Sequence, residues 1–501
     1  MSVSNTTHAV QSDRRRGMGA VVPALVAFVI ALELGALYVA MPGLSVDLAS
    51  NGVNQLWIMD IAGFLMAGFF ITLGNLGSRV GHRRLLLIGA ACYGVLSLTS
   101  AYVSEAYTLL AVRLFAGVAG AMLLVAAFGL IGHLFADPRR RRAAVASNAG
   151  AAMLGFVLGP LAGGLLLTSF WPGSVFLISV PVMALLVVSG PFLLPEARES
   201  EAGPIDVAGM FLYFLAVMPV VDGVKVLTAD RPSIALLPPL MILFGAGFGI
   251  LLVRRLKRRP SLSLNGVPRV ALAVTMVAAA VMAGTFLLVS QYLLSVLALG
   301  PLQAGLWLPL LGVGLAAGWR LSSALPARGT GAIAPGVAVS VAGFAVLSQM
   351  GAVDGPLLAV LGGALACLGA GSLLASGVRG LPGPVAGVGH VLGAGLGIAV
   401  MGAAATYLYR MSMADVPVPG AAADMAEHAR TTIAGATDTA GDLAAGAAAE
   451  LLAVARDAFT AGVGIVALAG AAGLLAFMAA VVGAARRRTA GREVKAHPTV
   501  R

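Results

Sequence analysis

The chain of 501 residues is 59% hydrophobic and only 11% charged, against about 25% charged for soluble globular domains, which excludes an ordinary soluble enzyme or binding module. Its net charge of +11 is divided among short clusters between apolar runs, without aromatic interleaving, a pattern that marks membrane topology and excludes a nucleic-acid surface. Cys92 and Cys367 lie inside apolar runs, and none of the three lysines sits in a GxxxxGK[ST] loop. No disulfide framework, zinc site, cofactor or ATPase is therefore expected.

Apolar runs of about 17–25 residues suffice to cross a bilayer. Fourteen occur, at 18–41, 56–77, 85–104, 107–135, 143–169, 173–194, 206–227, 233–253, 268–297, 301–319, 331–350, 355–377, 383–409 and 459–484. The first follows Arg14, Arg15 and Arg16, but it exceeds the about 7–15 residues of a cleavable apolar core and carries Glu33, so it is expected to be retained. An even count places both termini on one side. With the N-terminus in the cytoplasm, every basic residue falls on that side except Lys225, Arg231, Arg410, Arg430, Arg456 and the intramembrane Arg113. That asymmetry follows the positive-inside rule, and Trp57, Trp171, Trp307 and Trp319 fall near run ends as interfacial anchors do. The segment 410–458 is Ala-rich and carries Asp424, Glu427, Asp438, Asp442, Glu450 and Asp457. It is expected to form short surface helices, more a solvated loop than a vestibule that collects cations.

Three ionisable residues stand inside the runs: Glu33 in the first, Asp60 near the start of the second and Arg113 in the fourth. A carboxylate at membrane depth costs on the order of 2.5 kcal/mol or more, so such residues are candidate functional sites. Counting about 1.5 Å per residue, Glu33 lies about 12 Å and Arg113 about 9 Å from the outer ends of their helices, comparable depths that permit a pair. An arginine snorkelling to the interface is the plainer reading of Arg113. Asp60 lies close enough to the outer face to be wetted, and Asp222 with Lys225 reads as an i,i+3 surface pair. His390 is the one side chain of run 383–409 that titrates near neutral pH and reads as packed rather than functional.

Residues 74–84 read GNLGSRVGHRR, with Gly74, Gly77 and Gly81 permitting a tight turn and Arg79, Arg83 and Arg84 facing the cytoplasm. By itself this is a topogenic basic loop. Residues 155–164 read GFVLGPLAGG: Pro160 interrupts a helix hydrogen bond, while Gly155, Gly159, Gly163 and Gly164 allow close helix contact. The first stretch resembles the G-x-L-(small)-D-R-x-G-R-R signature of the major facilitator superfamily, and the second its G-x-x-x-G-P-x-x-G-G antiporter motif. VRLFAGVAG at 112–120, QLWIMD at 55–60, WPGSVFLISVP at 171–181, SQYLL at 290–294, GPLQAGLWLP at 300–309 and AFTAGV at 458–463 extend the resemblance along the chain. The chain is similar to the fourteen-helix drug:proton antiporters, closest to the quaternary-ammonium and dye efflux pumps.

The resemblance implies an all-α polytopic membrane protein with the major facilitator fold. Two six-helix bundles, 18–194 and 268–484, would flank two inserted helices and a basic loop at 195–267, with an exterior loop 410–458 and cytoplasmic tails 1–17 and 485–501. Runs 143–169 and 383–409 would occupy equivalent positions, the second carrying Gly393, Gly395, Gly397 and Gly402 as a weak echo of the first. Ser78 stands where the loop signature has Asp, Glu33 where the family has a helix-1 Asp, and Ser179 in place of a common Asn.

The expected activity is proton-coupled efflux of lipophilic cationic or amphipathic drugs by a monomer in the bacterial cytoplasmic membrane. In it Glu33, Asp60 and Arg113 would couple proton and substrate. Gly74, Arg79, Gly81 and Arg83, with Gly155, Gly159, Pro160, Gly163 and Gly164, would serve the conformational change. Two other readings stay open: an exporter of a natural product or siderophore, and a transport-inactive sensor or scaffold.

Overall fold

Lipid offers no partner to backbone amides and carbonyls, so each apolar run must close its hydrogen bonds internally, as a helix does. The computed structural model describes residues 2–48, 50–196, 205–227, 236–258, 268–324, 330–351 and 355–496. Arg198, Arg231, Arg259 and Arg328 lie outside the described residues, as do the side chains of both terminal tails. The helices in order are α1 (Ser2–Asp47), α2 (Gly52–Val80), α3 (His82–Ser100), α4 (Ala106–Leu134), α5 (Pro138–Leu166), α6 (Val180–Leu193), α7 (Val207–Val226), α8 (Leu237–Arg258), α9 (Arg269–Gln291), α10 (Pro301–Trp307), α11 (Pro309–Ala324), α12 (Thr330–Leu347), α13 (Leu357–Val378), α14 (Gly383–Met413), α15 (Ala423–Thr431), α16 (Ile433–Gly441) and α17 (Ala445–Ala496). A 3-10 turn, Pro172–Ile178, leads into α6, and a π-helical turn, Tyr292–Val296, closes α9.

Their ends follow local chemistry. The Asn51 side chain accepts the Asn54 amide at 2.8 Å to start α2, and Asp137 accepts the Arg139 amide at 3.0 Å before Pro138 opens α5. Between α2 and α3 the chain turns at Gly81 with φ +110°, a conformation that favours glycine. Among the described residues, 12 crossings are long and apolar enough to span a membrane, with α10 and α11 joined as one. The expected runs 85–104 and 331–350 are helical as α3 and α12 but fall short of that measure. Arg83 and Arg84 occupy the first turn of α3, and the apolar part of α12 is the short Gly331–Leu347.

Two helical groups result. In one, α1 packs on α4 and α5, α2 on α4, and α3 on α4 and α6. In the other, α9 packs on α13 and α14, α11 and α12 on α13, and α12 and α14 on α17. The groups meet along α2 with α14 and along α5 with α10 and α11. Glycine spacing explains the likeness between the halves. Gly155 and Gly159 bring α5 onto the α1 backbone at Phe28, Leu32 and Gly35, and Gly393 and Gly397 bring α14 onto the α9 backbone at Met276 and Ala280. The inserted helices α7 and α8 pack on each other, and α7 also lies on both α2 and α14. The apolar side chains Leu240, Leu243, Phe244 and Leu251 of α8 point outward, as a lipid-facing helix requires.

The segment 410–458 departs from the expected solvated loop. It forms α15, α16 and the start of α17, as short helices should, but Ala429, Ile433 and Ala436 are buried. The Tyr409 hydroxyl donates to the Ala429 carbonyl at 2.8 Å. Alternation within each short helix leaves Asp424, Glu427, Asp438 and Asp442 exposed, so one face packs over the helix ends while the acids meet water.

Candidate functional site: two buried ion pairs

Glu33 sits mid-way along the apolar part of α1, and its side chain is 2% exposed. Arg113 of α4 meets it, Nη1 to Oε1 at 3.4 Å, and is equally buried. The pair that comparable depth permitted is therefore formed, and Arg113 turns inward instead of snorkelling. Each partner has further ties. Arg113 Nε donates to the Ile58 carbonyl of α2 at 3.1 Å, and its guanidinium lies 5.3 Å from the centre of the Phe176 ring. The Ser97 hydroxyl of α3 donates to Glu33 Oε2 at 3.5 Å, and the Tyr93 and Ser179 side chains lie near this carboxylate. Ser179, where the family has Asn, donates its hydroxyl to the Phe176 carbonyl at 3.2 Å. Arg113 Nη2 has no hydrogen-bond partner among the described residues, so the charge is balanced while the donors are not all used.

The Gly-Pro motif of α5 lies against this pair. A Cβ at Gly159 would stand 2.6 Å from the Gly35 Cα, and one at Gly163 would stand 3.0 Å from the Ala36 Cα, so α1 and α5 touch backbone to backbone on the turns flanking Glu33. Across the boundary between the helical groups, a Cβ at Gly164 would stand 2.6 Å from the Pro301 carbonyl oxygen, and one at Gly305 would stand 2.5 Å from the Pro160 carbonyl oxygen. Pro160 thus removes a backbone hydrogen bond from α5 where that helix touches both the acid-bearing α1 and α10 of the other group. Beside it Tyr38, Phe156 and Phe286 form a ring cluster, with centroids 4.8–5.9 Å apart, that bridges α1, α5 and α9.

Asp60 is not wetted: its side chain is 0% exposed because α7 covers it. Lys225 of α7, also 0% exposed, places Nζ 2.8 Å from Asp60 Oδ1 and 3.6 Å from the centre of the Trp57 ring. The expected surface pairing of Asp222 with Lys225 is thereby corrected. A buried ammonium takes the buried carboxylate, and Asp222 instead accepts the Trp57 indole N–H at 3.0 Å. Trp57 is consequently a bridge between α2 and α7 rather than an interfacial anchor. Lys225, Asp222, Tyr93 and Ser97 were missed as site residues. The available signal was charge: a lysine inside an apolar run needs a buried acid, and Asp60 had no assigned partner.

The loop motif sits at the arginine-rich face. Arg83 Nη2 and Arg84 Nε approach Glu196 Oε2 at 3.4 and 3.6 Å, and Arg83 also donates to the Leu194 carbonyl at 3.2 Å. With Ser78 in place of an acid, the arginines close on the end of α6. Arg79 is exposed, and a Cβ at Gly74 would meet nothing within 4 Å. His390 lies partly buried on α14, away from any metal-binding cluster among the described residues.

The charged pair thus lies inside apolar helices, against a glycine-rich crossing that carries Pro160. Residues 24–449 match the Major Facilitator Superfamily. The multidrug efflux pump LfrA of Mycolicibacterium smegmatis is 33% identical, over 97% of this chain and 99% of its own. The methyl viologen resistance protein SmvA of Salmonella typhimurium is 29% identical, over 89% and 93%. The tetracenomycin C resistance and export protein of Streptomyces glaucescens is 30% identical, over 57% and 54%. In fold, the chain is similar to a bacterial homologue of the human lysosomal transporter Spinster in its inward-facing, unoccupied conformation, with a TM-score of 0.58 at 13% identity over 93% and 97% of the two chains. The chain belongs to the major facilitator superfamily, whose members are membrane transporters and not enzymes.

Proposed function

We propose that the chain exports lipophilic organic cations in exchange for protons across the bacterial cytoplasmic membrane, with both termini and the arginine-rich face in the cytoplasm. The observation that carries this reading is the buried Glu33–Arg113 pair set against the Gly-Pro crossing of α5. A proton arriving from outside neutralises Glu33 and releases Arg113, which removes the electrostatic tie between α1 and α4. The two helical groups then rock about α5 at Pro160 and the α2–α14 contact. From the cytoplasm an organic cation replaces the proton at the acid, so one carboxylate serves two opposed fluxes. The Tyr38–Phe156–Phe286 cluster offers ring faces suited to a flat or quaternary cation. The name of SmvA, a methyl viologen resistance protein, agrees with an organic cation, and that of LfrA with multidrug efflux.

Ethidium efflux from energised cells tests the reading, comparing wild type with Glu33→Gln and with added protonophore. Both treatments are expected to stop efflux. Efflux that survives Glu33→Gln would move the coupling site elsewhere, Asp60 first. A second reading, export of one natural product, is favoured by the likeness to the tetracenomycin C exporter. It would be supported by a well-expressed wild type that moves no dye but confers resistance to a single compound class.

A further inference from the structure

Asp60, Lys225 and Asp222 bring two carboxylates and one ammonium together between α2 and α7. Counted formally, the trio lacks one positive charge. Asp60 Oδ2 is buried without a hydrogen-bond partner among the described residues. The seat that Lys225 fills, a carboxylate below and the face of Trp57 at 3.6 Å, has the chemistry that recognises an organic cation. Asp222 stands three residues before Lys225 on the same helix, within reach of a flexible four-carbon stem.

We propose that Lys225 is an internal cation with two seats: it occupies the Asp60–Trp57 seat when no substrate is present, and moves to Asp222 when a monovalent organic cation takes that seat. The arriving charge completes the trio, so the exchange needs no isolated buried charge at either end. Because α7 packs on α2 and on α14, the move also changes how the inserted helix is tied to the first helical group. The inference rests on the reading of the chain as an exporter of organic cations, and adds a seat that the cation visits apart from Glu33, where it exchanges with the proton.

The test measures tetraphenylphosphonium binding to the purified full chain in detergent, with melting temperature recorded for each variant. Lys225→Met removes the resident competitor and is expected to tighten binding about tenfold or more, since a site mostly occupied from within binds in proportion to its free fraction. Asp222→Asn keeps an acceptor for the Trp57 indole but removes the second seat, and is expected to weaken binding about tenfold on the same arithmetic. In a Lys225→Met background Asp222→Asn is expected to have no effect, whereas plain long-range attraction by Asp222 would persist there. Binding that is unchanged or weaker in a folded Lys225→Met chain would overturn the proposal while leaving cation export intact. Should Lys225→Met fail to fold, Lys225→Gln, which keeps a donor for Asp60, takes its place: an Asp222→Asn effect that vanishes in that background supports the two seats, and one that persists overturns them. If neither wild type nor any variant binds the probe, cation export falls and the inference with it.

Discussion

Replacing Glu33 by Gln keeps an acceptor for the Ser97 hydroxyl but leaves Arg113 buried without a counter-ion. Breaking a buried pair from one side costs about 3–5 kcal/mol, so Glu33→Gln is expected to lower the melting temperature as well as to stop proton-driven efflux. Adding Arg113→Met removes the orphaned charge and is expected to recover the melting temperature without recovering efflux. That split, read by thermal melting in detergent beside dye efflux, separates coupling from folding; joint recovery would make the pair structural only. Glu33→Asp retreats from a contact already at 3.4 Å and is expected to slow efflux without abolishing it. The acid and the arginine were legible in the sequence because lipid makes any ionisable residue conspicuous. Their partners were not. Ser97, Tyr93 and Trp57 are unremarkable in a linear reading, and the choice of Lys225 between Asp222 and Asp60 depends on how α7 lies on α2. Local spacing favours Asp222, and burial favours Asp60.

Helix contacts explain why the glycines of α5 are not interchangeable. Gly150 faces open space, so Gly150→Ala is expected to stabilise by about 0.5–1 kcal/mol through helix propensity. Gly159→Ala forces a Cβ to within 2.6 Å of the Gly35 Cα, and overpacking of this kind costs about 1–3 kcal/mol. It is expected to lower both melting temperature and efflux, and equal effects at the two positions would deny the crossing its role. At the arginine-rich face Glu196→Gln loosens Arg83 and Arg84, which are partly exposed, so a stability change below about 1 kcal/mol is expected. A change in transport rate with little change in melting would show that the contact with α6 acts on conformational exchange. Element positions were largely legible, since apolar length and basic loops dictate where helices run. The break at Leu308 between α10 and α11 had its signal in Pro309, which ends a helix at the residue before it but which apolar length alone passes over. The packing of α16 was not legible, because it depends on neighbouring helices.

At the scale of the whole molecule, the two halves repeat the same glycine-mediated crossing but not the same charges. Where α5 meets α1 there is Glu33; where α14 meets α9 the neighbours of Ala280 are Ala279 and Val281, and α13, from Leu357 to Val378, carries no ionisable side chain except Cys367. Asp60 is already paired with Lys225. On the proposed mechanism Glu33 is then the acid left to exchange a proton, and one proton entering per substrate leaving would set the electrical balance. For a monovalent cation the exchange moves no net charge. Dissipating the membrane potential with valinomycin and potassium is expected to leave ethidium efflux unchanged, whereas collapsing the pH gradient with nigericin is expected to stop it. A divalent cation reverses the sensitivity. Two charges out against one proton in carries one net positive charge out of a negative interior, a cost of about 2.3 kcal/mol at 100 mV. Methyl viologen efflux is then expected to be slow in polarised cells and to speed up on depolarisation. Depolarisation that slows ethidium efflux would instead require a second proton per cycle, and with it a second acid released from its partner, for which Asp60 is the nearest source.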